Sequence, residues 1–129
     1  VAVARVGDTI VATNSDPISH NTHYYGPLRS NLALPVEGMS VSRVFQRSGT
    51  ITVLCDVHGW MRSVIRVEEH PFHAVSDDLG FLRISEIPPG TYTLELWHET
   101  LGTREVRVEI QTNQTTRLDF EYADIPSRP

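Results

Sequence analysis

Apolar residues recur at every second position along much of this chain, and no segment repeats them at the spacing of a helix. Val106, Val108 and Ile110 alternate with charged residues, and Leu118, Phe120 and Tyr122 alternate with polar ones. Ile51, Val53 and Cys55 fall on one side of a further run. Successive side chains of an extended strand point to opposite faces, so this alternation describes strands buried on one face. Gly7-Asp8, Ser48-Gly49, Asp77-Asp78-Leu79-Gly80 and Pro88-Pro89-Gly90 punctuate the runs with turn chemistry. The pattern predicts an all-β chain with strands at 1–4, 9–13, 41–46, 50–55, 64–67, 72–76, 81–85 and 91–97, and two more centred on Val108 and Phe120. Residues 14–40, rich in Asn, Pro, Ser and Gly, read as loop, and 125–129 as a frayed tail.

A length of 129 residues suits one domain or two very small ones. The net charge of −5, with no basic block, argues against a nucleic-acid surface. No apolar run approaches the ~18 residues that a membrane span needs. The N-terminus lacks a charged region followed by an apolar stretch, so no signal peptide is visible, and Val1 reads as a mature or truncated start.

Chemistry concentrates in Cys55-Asp56-Val57-His58-Gly59-Trp60-Met61, which connects two predicted strands. The chain has a single cysteine, so an intrachain disulfide is impossible and the thiol is buried, reactive or metal-bound. Two histidine nitrogens, one cysteine sulfur and a weak axial methionine form the ligand set of a blue-copper electron-transfer site. The loop holds three of the four. His20, within Asn14-Ser15-Asp16-Pro17-Ile18-Ser19-His20-Asn21, is the candidate for the fourth, with His23 as its competitor. Each residue also has a plainer reading: Cys55 as a small buried hydrophobe, Met61 as a gap-filler, and either histidine as a surface group. Zinc is the rival metal, although structural zinc seldom takes one thiolate alone and thioether suits it poorly.

Residues 1–68 resemble a cupredoxin through Gly7-Asp8-Thr9-Ile10-Val11, Asn14 to Asn21 and the Cys-x-x-His-x-x-Met loop, taken in that order. The two residues between His58 and Met61 resemble the spacing of amicyanins. The resemblance implies a Greek-key sandwich binding one type 1 copper through His20, Cys55 and His58, with Met61 axial. It also implies that Asn21 pins the ligand loop by hydrogen bonding, and it favours His20 over His23. Trp60 reads either as an apolar contact for a partner beside His58 or as packing against Pro27 or Leu28. His23, His70, His73 and His98 are too scattered to argue a second metal, and Asp77-Asp78 reads as a turn, not a calcium loop.

Residues 72–122 resemble a carboxypeptidase-regulatory-like sandwich, a small immunoglobulin/transthyretin-like fold. The resemblance rests on Val75 to Phe81, Ile87-Pro88-Pro89-Gly90-Thr91-Tyr92 and Leu96-Trp97-His98-Glu99. The expected organisation is a copper domain at 1–69, the second sandwich at 70–124 and the tail at 125–129. The pairing resembles bacterial two-module proteins labelled methylamine-utilisation-like. Both modules look short of their first strands, which an upstream segment or another chain would supply.

These readings imply a periplasmic or extracellular bacterial electron carrier, not an enzyme, that serves a cytochrome or oxidoreductase. The alternative is an adhesion or assembly subunit that uses the second sandwich, its metal site vestigial or merely structural.

Overall fold

The structure, a computed structural model, describes residues 1–124, and the expected tail at 125–129 lies outside the described residues. The chain divides into two compact units, Val1–Arg83 and Ile84–Pro129. Nine strands and one short 3-10 turn make up its regular structure, so the all-β expectation holds among the described residues. No helix there is long and apolar enough to cross a membrane.

Seven strands form the first unit: β1 (Ala2–Arg5), β2 (Thr9–Thr13), β3 (His20–Tyr25), β4 (Ser30–Leu34), β5 (Ser40–Val44), β6 (Gly49–Leu54) and β7 (Arg62–Glu68). One sheet runs in the order β1-β7-β6-β3-β4, and a second sheet consists of β2 and β5. β1 lies parallel to β7, and the other pairs are antiparallel. Tyr24, Phe45, Ile51, Ile65 and Val67 form the core, with Ala4, Ile10, Leu28, Leu32 and Val53 packed against it. Ile51 and Ile65 sit opposite each other across β6 and β7, a direct cross-strand pair of the kind that stabilises sheets.

Residues 14–40 are not all loop: β3 and β4 lie within them and pair from His20↔Leu34 to Tyr24↔Ser30. Alternation is present in β3, but its inward positions are His20, Thr22 and Tyr24, so an apolar pattern has little to register there. Gly26, at φ +124°, begins the turn between these strands. A Cβ at this position would lie 2.5 Å from the Thr50 carbonyl oxygen, so only glycine lets the turn approach β6.

Two further expected strands are absent among the described residues, since 72–76 and 81–85 carry no ladder. The turn between them does form. The Asp77 carboxylate accepts from the Leu79 and Phe81 amides, both at 2.9 Å, and the Asp77 amide donates to the Phe81 carbonyl. A turn closed by its own side chain does not require paired arms.

The second unit is built on the hairpin of β8 (Gly90–His98) and β9 (Gly102–Ile110). Tyr92↔Val108 and Leu94↔Val106 stack apolar pairs along one face. The strand expected around Phe120 is also absent, and Tyr122–Asp124 instead form a 3-10 turn. The Tyr122 hydroxyl donates to the Leu96 and Gly102 carbonyls while Arg104 stacks on its ring, 5.0 Å from the centroid. These attachments take Tyr122 out of any period-two strand.

Gly26→Ala should lower unfolding stability by about 1–3 kcal/mol, because either the turn or β6 must give way. Denaturant titration followed by tryptophan fluorescence measures the change.

Candidate metal centre

The pleat of β3 sorts His20-Asn21-Thr22-His23-Tyr24-Tyr25 into two functional faces. His20 and Tyr24 are buried, whereas Asn21, His23 and Tyr25 lie on the opposite side. On β6 the alternation of Ile51 and Val53 runs one residue past the strand end to Cys55, which is buried as its spacing predicted. The chain then turns at once. The Met61 amide donates to the His58 carbonyl at 3.0 Å, and the Cys55 amide to the Met61 carbonyl at 3.4 Å. β7 leaves this loop with Arg62 opposite Leu54.

His20, Cys55 and His58 converge, as the sequence predicted. Cys55 Sγ lies 3.9 Å from His20 Nδ1 and 3.7 Å from His58 Nδ1, and the two nitrogens are 3.1 Å apart. A first-row ion bonds imidazole nitrogen at about 2.0–2.1 Å and thiolate sulfur at about 2.3 Å. Arranged in a plane around such an ion, the ligand atoms would be about 3.6–3.8 Å apart. The observed triangle is close to that size. Two imidazole nitrogens and a sulfur facing one another form a donor set that a soft cation, or a shared proton, satisfies. Met61 belongs to the same loop through its backbone bonds and is 37% exposed.

Two residues given no role by sequence reasoning orient His20. The Asp16 carboxylate lies 2.8 Å from His20 Nε2. A carboxylate only accepts, so Nε2 carries the hydrogen and Nδ1 is the atom presented to Cys55 and His58. Asn14, fully buried, shapes the approach to β3. Its amide donates to the Ile18 and Leu34 carbonyls, at 2.8 and 2.9 Å, and its oxygen accepts from the Asp16 amide. Asn-x-Asp-Pro is a turn signal, but only the fold shows that the turn aims a carboxylate at the histidine.

Electrostatics at the centre run in opposing directions. Burial pushes the Cys55 thiol up, but the Asn21 backbone N–H, the His20 and His58 side chains and the His58 backbone together bring it down from 9.0 to about 6. His20 is raised above 6.5, chiefly by its bond to Cys55 and then by Asp16, because both partners favour the imidazolium. Each of the two groups thus favours the charged form of the other, the thiolate on Cys55 and the imidazolium on His20.

Trp60 is 80% exposed, with its ring centroid 5.0 Å from that of His58. It is thus an exposed ring beside the centre and not a residue packed under Pro27 or Leu28. His23 lies outside the triangle and pairs with Asp56, both carboxylate oxygens at 3.0 Å from Nδ1. His23 foremost, then Asn31 and Asn21, hold the Asp56 carboxyl below the ordinary carboxylate range against the opposing effect of burial. Among the described residues, His23, His70, His73 and His98 join no cluster of three metal-ligating side chains.

In the metal-free protein, the rate of Cys55 alkylation by iodoacetamide should rise with pH through a midpoint at about 6. His58→Ala should move that midpoint upward, because it removes a donor to the thiolate. Metal ligation needs a thiolate and a neutral imidazole, so affinity should fall as pH drops and both groups take up protons. Asp16→Ala should cost about 10–100-fold in metal affinity, measured by chelator competition.

No protein-family model matches the chain, and no curated protein matches it. Solved structures do. A purple cupredoxin from Nitrosopumilus maritimus is 24% identical, over 51% of this chain and 76% of its own, with a TM-score of 0.44. A reduced tryptophan-to-tyrosine variant of amicyanin is 31% identical, over 51% of this chain and 67% of its own, with a TM-score of 0.45. The reduced Cu(I) form of a proline-to-glycine amicyanin variant gives the same identity, shares and TM-score. The stretch similar to amicyanin spans about half of this chain, and His20, Cys55 and His58 gather at one point beside the loop that ends in Met61.

Proposed function

We propose that this chain is a type 1 copper protein that carries electrons for a redox partner. His20, Cys55 and His58 are its strong ligands and Met61 its axial one. The observation that carries the reading is the convergence of two histidine Nδ1 atoms and one cysteine sulfur within 3.9 Å of one another, His20 from β3 and both Cys55 and His58 from the loop after β6. Copper bound there would supply a one-electron couple between its two common oxidation states. The chain's own part is to hold the donors still. Asp16 holds the His20 ring, and the short loop between β6 and β7 holds Cys55 and His58, so little would rearrange when an electron arrives.

His58 is half-buried, with Val57 and Trp60 exposed on either side of it. An apolar rim around a partly buried ligand suits brief docking by a cytochrome or an oxidoreductase, and none of these residues needs to act on a substrate. A periplasmic or extracellular setting belongs to this proposal, by likeness to amicyanin. The outer edges of β1 and β2, which pair with no further strand among the described residues, suit a strand added from another chain.

A second reading, assembly through residues 72–122 as a carboxypeptidase-regulatory-like sandwich, draws support from the hairpin β8–β9. It brings Tyr92, Leu94, Val106 and Val108 to one face and is flanked by no third strand among the described residues. In that case the metal site would be structural.

Loading with one equivalent of Cu(II) should produce intense visible thiolate-to-copper absorption, and Cys55→Ser should abolish it. A colourless complex that cannot be cycled between oxidation states would refute the electron-carrier reading.

A further inference from the structure

The face of β3 that points away from the metal centre carries a polar network that ends on the residue next to Cys55. Asn21, His23 and Tyr25 share this face, and Asn31 sits opposite His23 on β4. Four contacts converge on the Asp56 carboxylate: one from the Asn21 amide and one from the Asn31 amide, each at 2.9 Å, and the two from His23. The Asp56 backbone amide donates in turn to the Asn21 side-chain oxygen at 2.7 Å. The Asn21 amide also donates to the Asn31 oxygen at 2.7 Å, and the Tyr25 hydroxyl stands 2.8 Å from His23 Nδ1.

We propose that Asp56, tied by its carboxylate to His23 and Asn31, is a positioning residue that sets the direction of the Cys55 thiolate. This rests on the copper reading above. Cys55 needs such a fixture because it lies just beyond its sheet. The β6–β7 ladder ends at Leu54↔Arg62, and the β3–β6 pairing ends at His23↔Leu54. Past Leu54 the nearest ladder-like bond is the long one from the Cys55 amide to the Met61 carbonyl.

Rotation about the backbone of 55–56 would swing Sγ out of the triangle, and the Asp56 contacts oppose that rotation from two other strands. Asn21 alone could fix the amide of Asp56. The carboxylate contacts extend the fixture to β4, so the thiolate is referenced to three strands of the sheet. Donors and acceptors in the network already satisfy one another, which favours a tie between elements over a second cation site.

The test uses the full chain with Asp56→Ala, Asp56→Asn, Asn31→Ala and His23→Gln. In the metal-free protein, amide hydrogen exchange at Asp56 should quicken about tenfold in Asp56→Ala, as loss of bonds to a charged group implies. Asn31→Ala and His23→Gln should follow in the same direction with smaller effects, and Asp56→Asn, which keeps one acceptor oxygen, should recover part of the protection. In the Cu(II)-loaded protein, the same order should appear in the thiolate-to-copper absorption maximum and the copper hyperfine splitting, with copper stoichiometry unchanged.

Wild-type exchange and spectra in Asp56→Ala, or in both Asn31→Ala and His23→Gln if Asp56→Ala does not fold, would overturn the proposal. So would uptake of a second copper equivalent that Asn31→Ala removes, since the cluster would then be a metal site. If the wild-type chain gives no thiolate-to-copper band, the copper reading fails, while the metal-free exchange still decides whether Asp56 holds the Cys55 backbone.

Discussion

Antiparallel pairing of β3 with β6 is the constraint on which the rest of the centre depends. His20 and Cys55 are separated by 35 positions in the chain, and nothing local brings them together. The pairing of Tyr24 with Val53 and of His23 with Leu54 brings the strand that begins at His20 alongside the one that runs out into Cys55. The close approach of the turn at Gly26 to β6, and the burial of Tyr24 and Ile51 beside it, serve the same alignment. A metal centre assembled this way inherits the rigidity of a sheet core.

The two faces of β3 divide the work between chemistry and positioning. Inward, His20 meets a thiol whose burial alone would keep it protonated, and only the donors around it reverse that preference. Outward, Asn21 and His23 reach the residue that follows the thiol, and Asn31 ties it to β4. Asp16 and Asn14 complete the arrangement from the chain segment before β3, where a buried asparagine shapes the loop and a carboxylate selects the histidine nitrogen. Strand periodicity thus places the ligand and its supports on opposite faces, so they do not compete for space.

Legibility in the sequence followed the chemistry of the inward positions. β2, β6, β7, β8 and β9 present apolar residues on the pleat, so their alternation could be read directly. β3 could not be read this way, because its inward residues are His20, Thr22 and Tyr24 and its outward Asn21 and His23 are polar as well; β4 does turn Leu32 and Leu34 inward, but its alternation is only two residues long within a loop-like composition. The reverse error occurred at Leu118, Phe120 and Tyr122, where alternation is present but the tyrosine hydroxyl is fastened to the β8–β9 hairpin. Alternation reports the preference of a segment to be extended. Whether a partner strand lies alongside is a non-local matter.

The donor types and the loop that carries Cys55, His58 and Met61 were determined by the sequence alone, because their spacing is local and a loop this short cannot separate them. The meeting of His20 with that loop, the choice of its Nδ1, the depressed thiol and the tie from Asp56 to β3 and β4 were decided only by the tertiary structure. Each depends on strand register across dozens of residues, and register is settled by the packing of whole faces and not by any one segment.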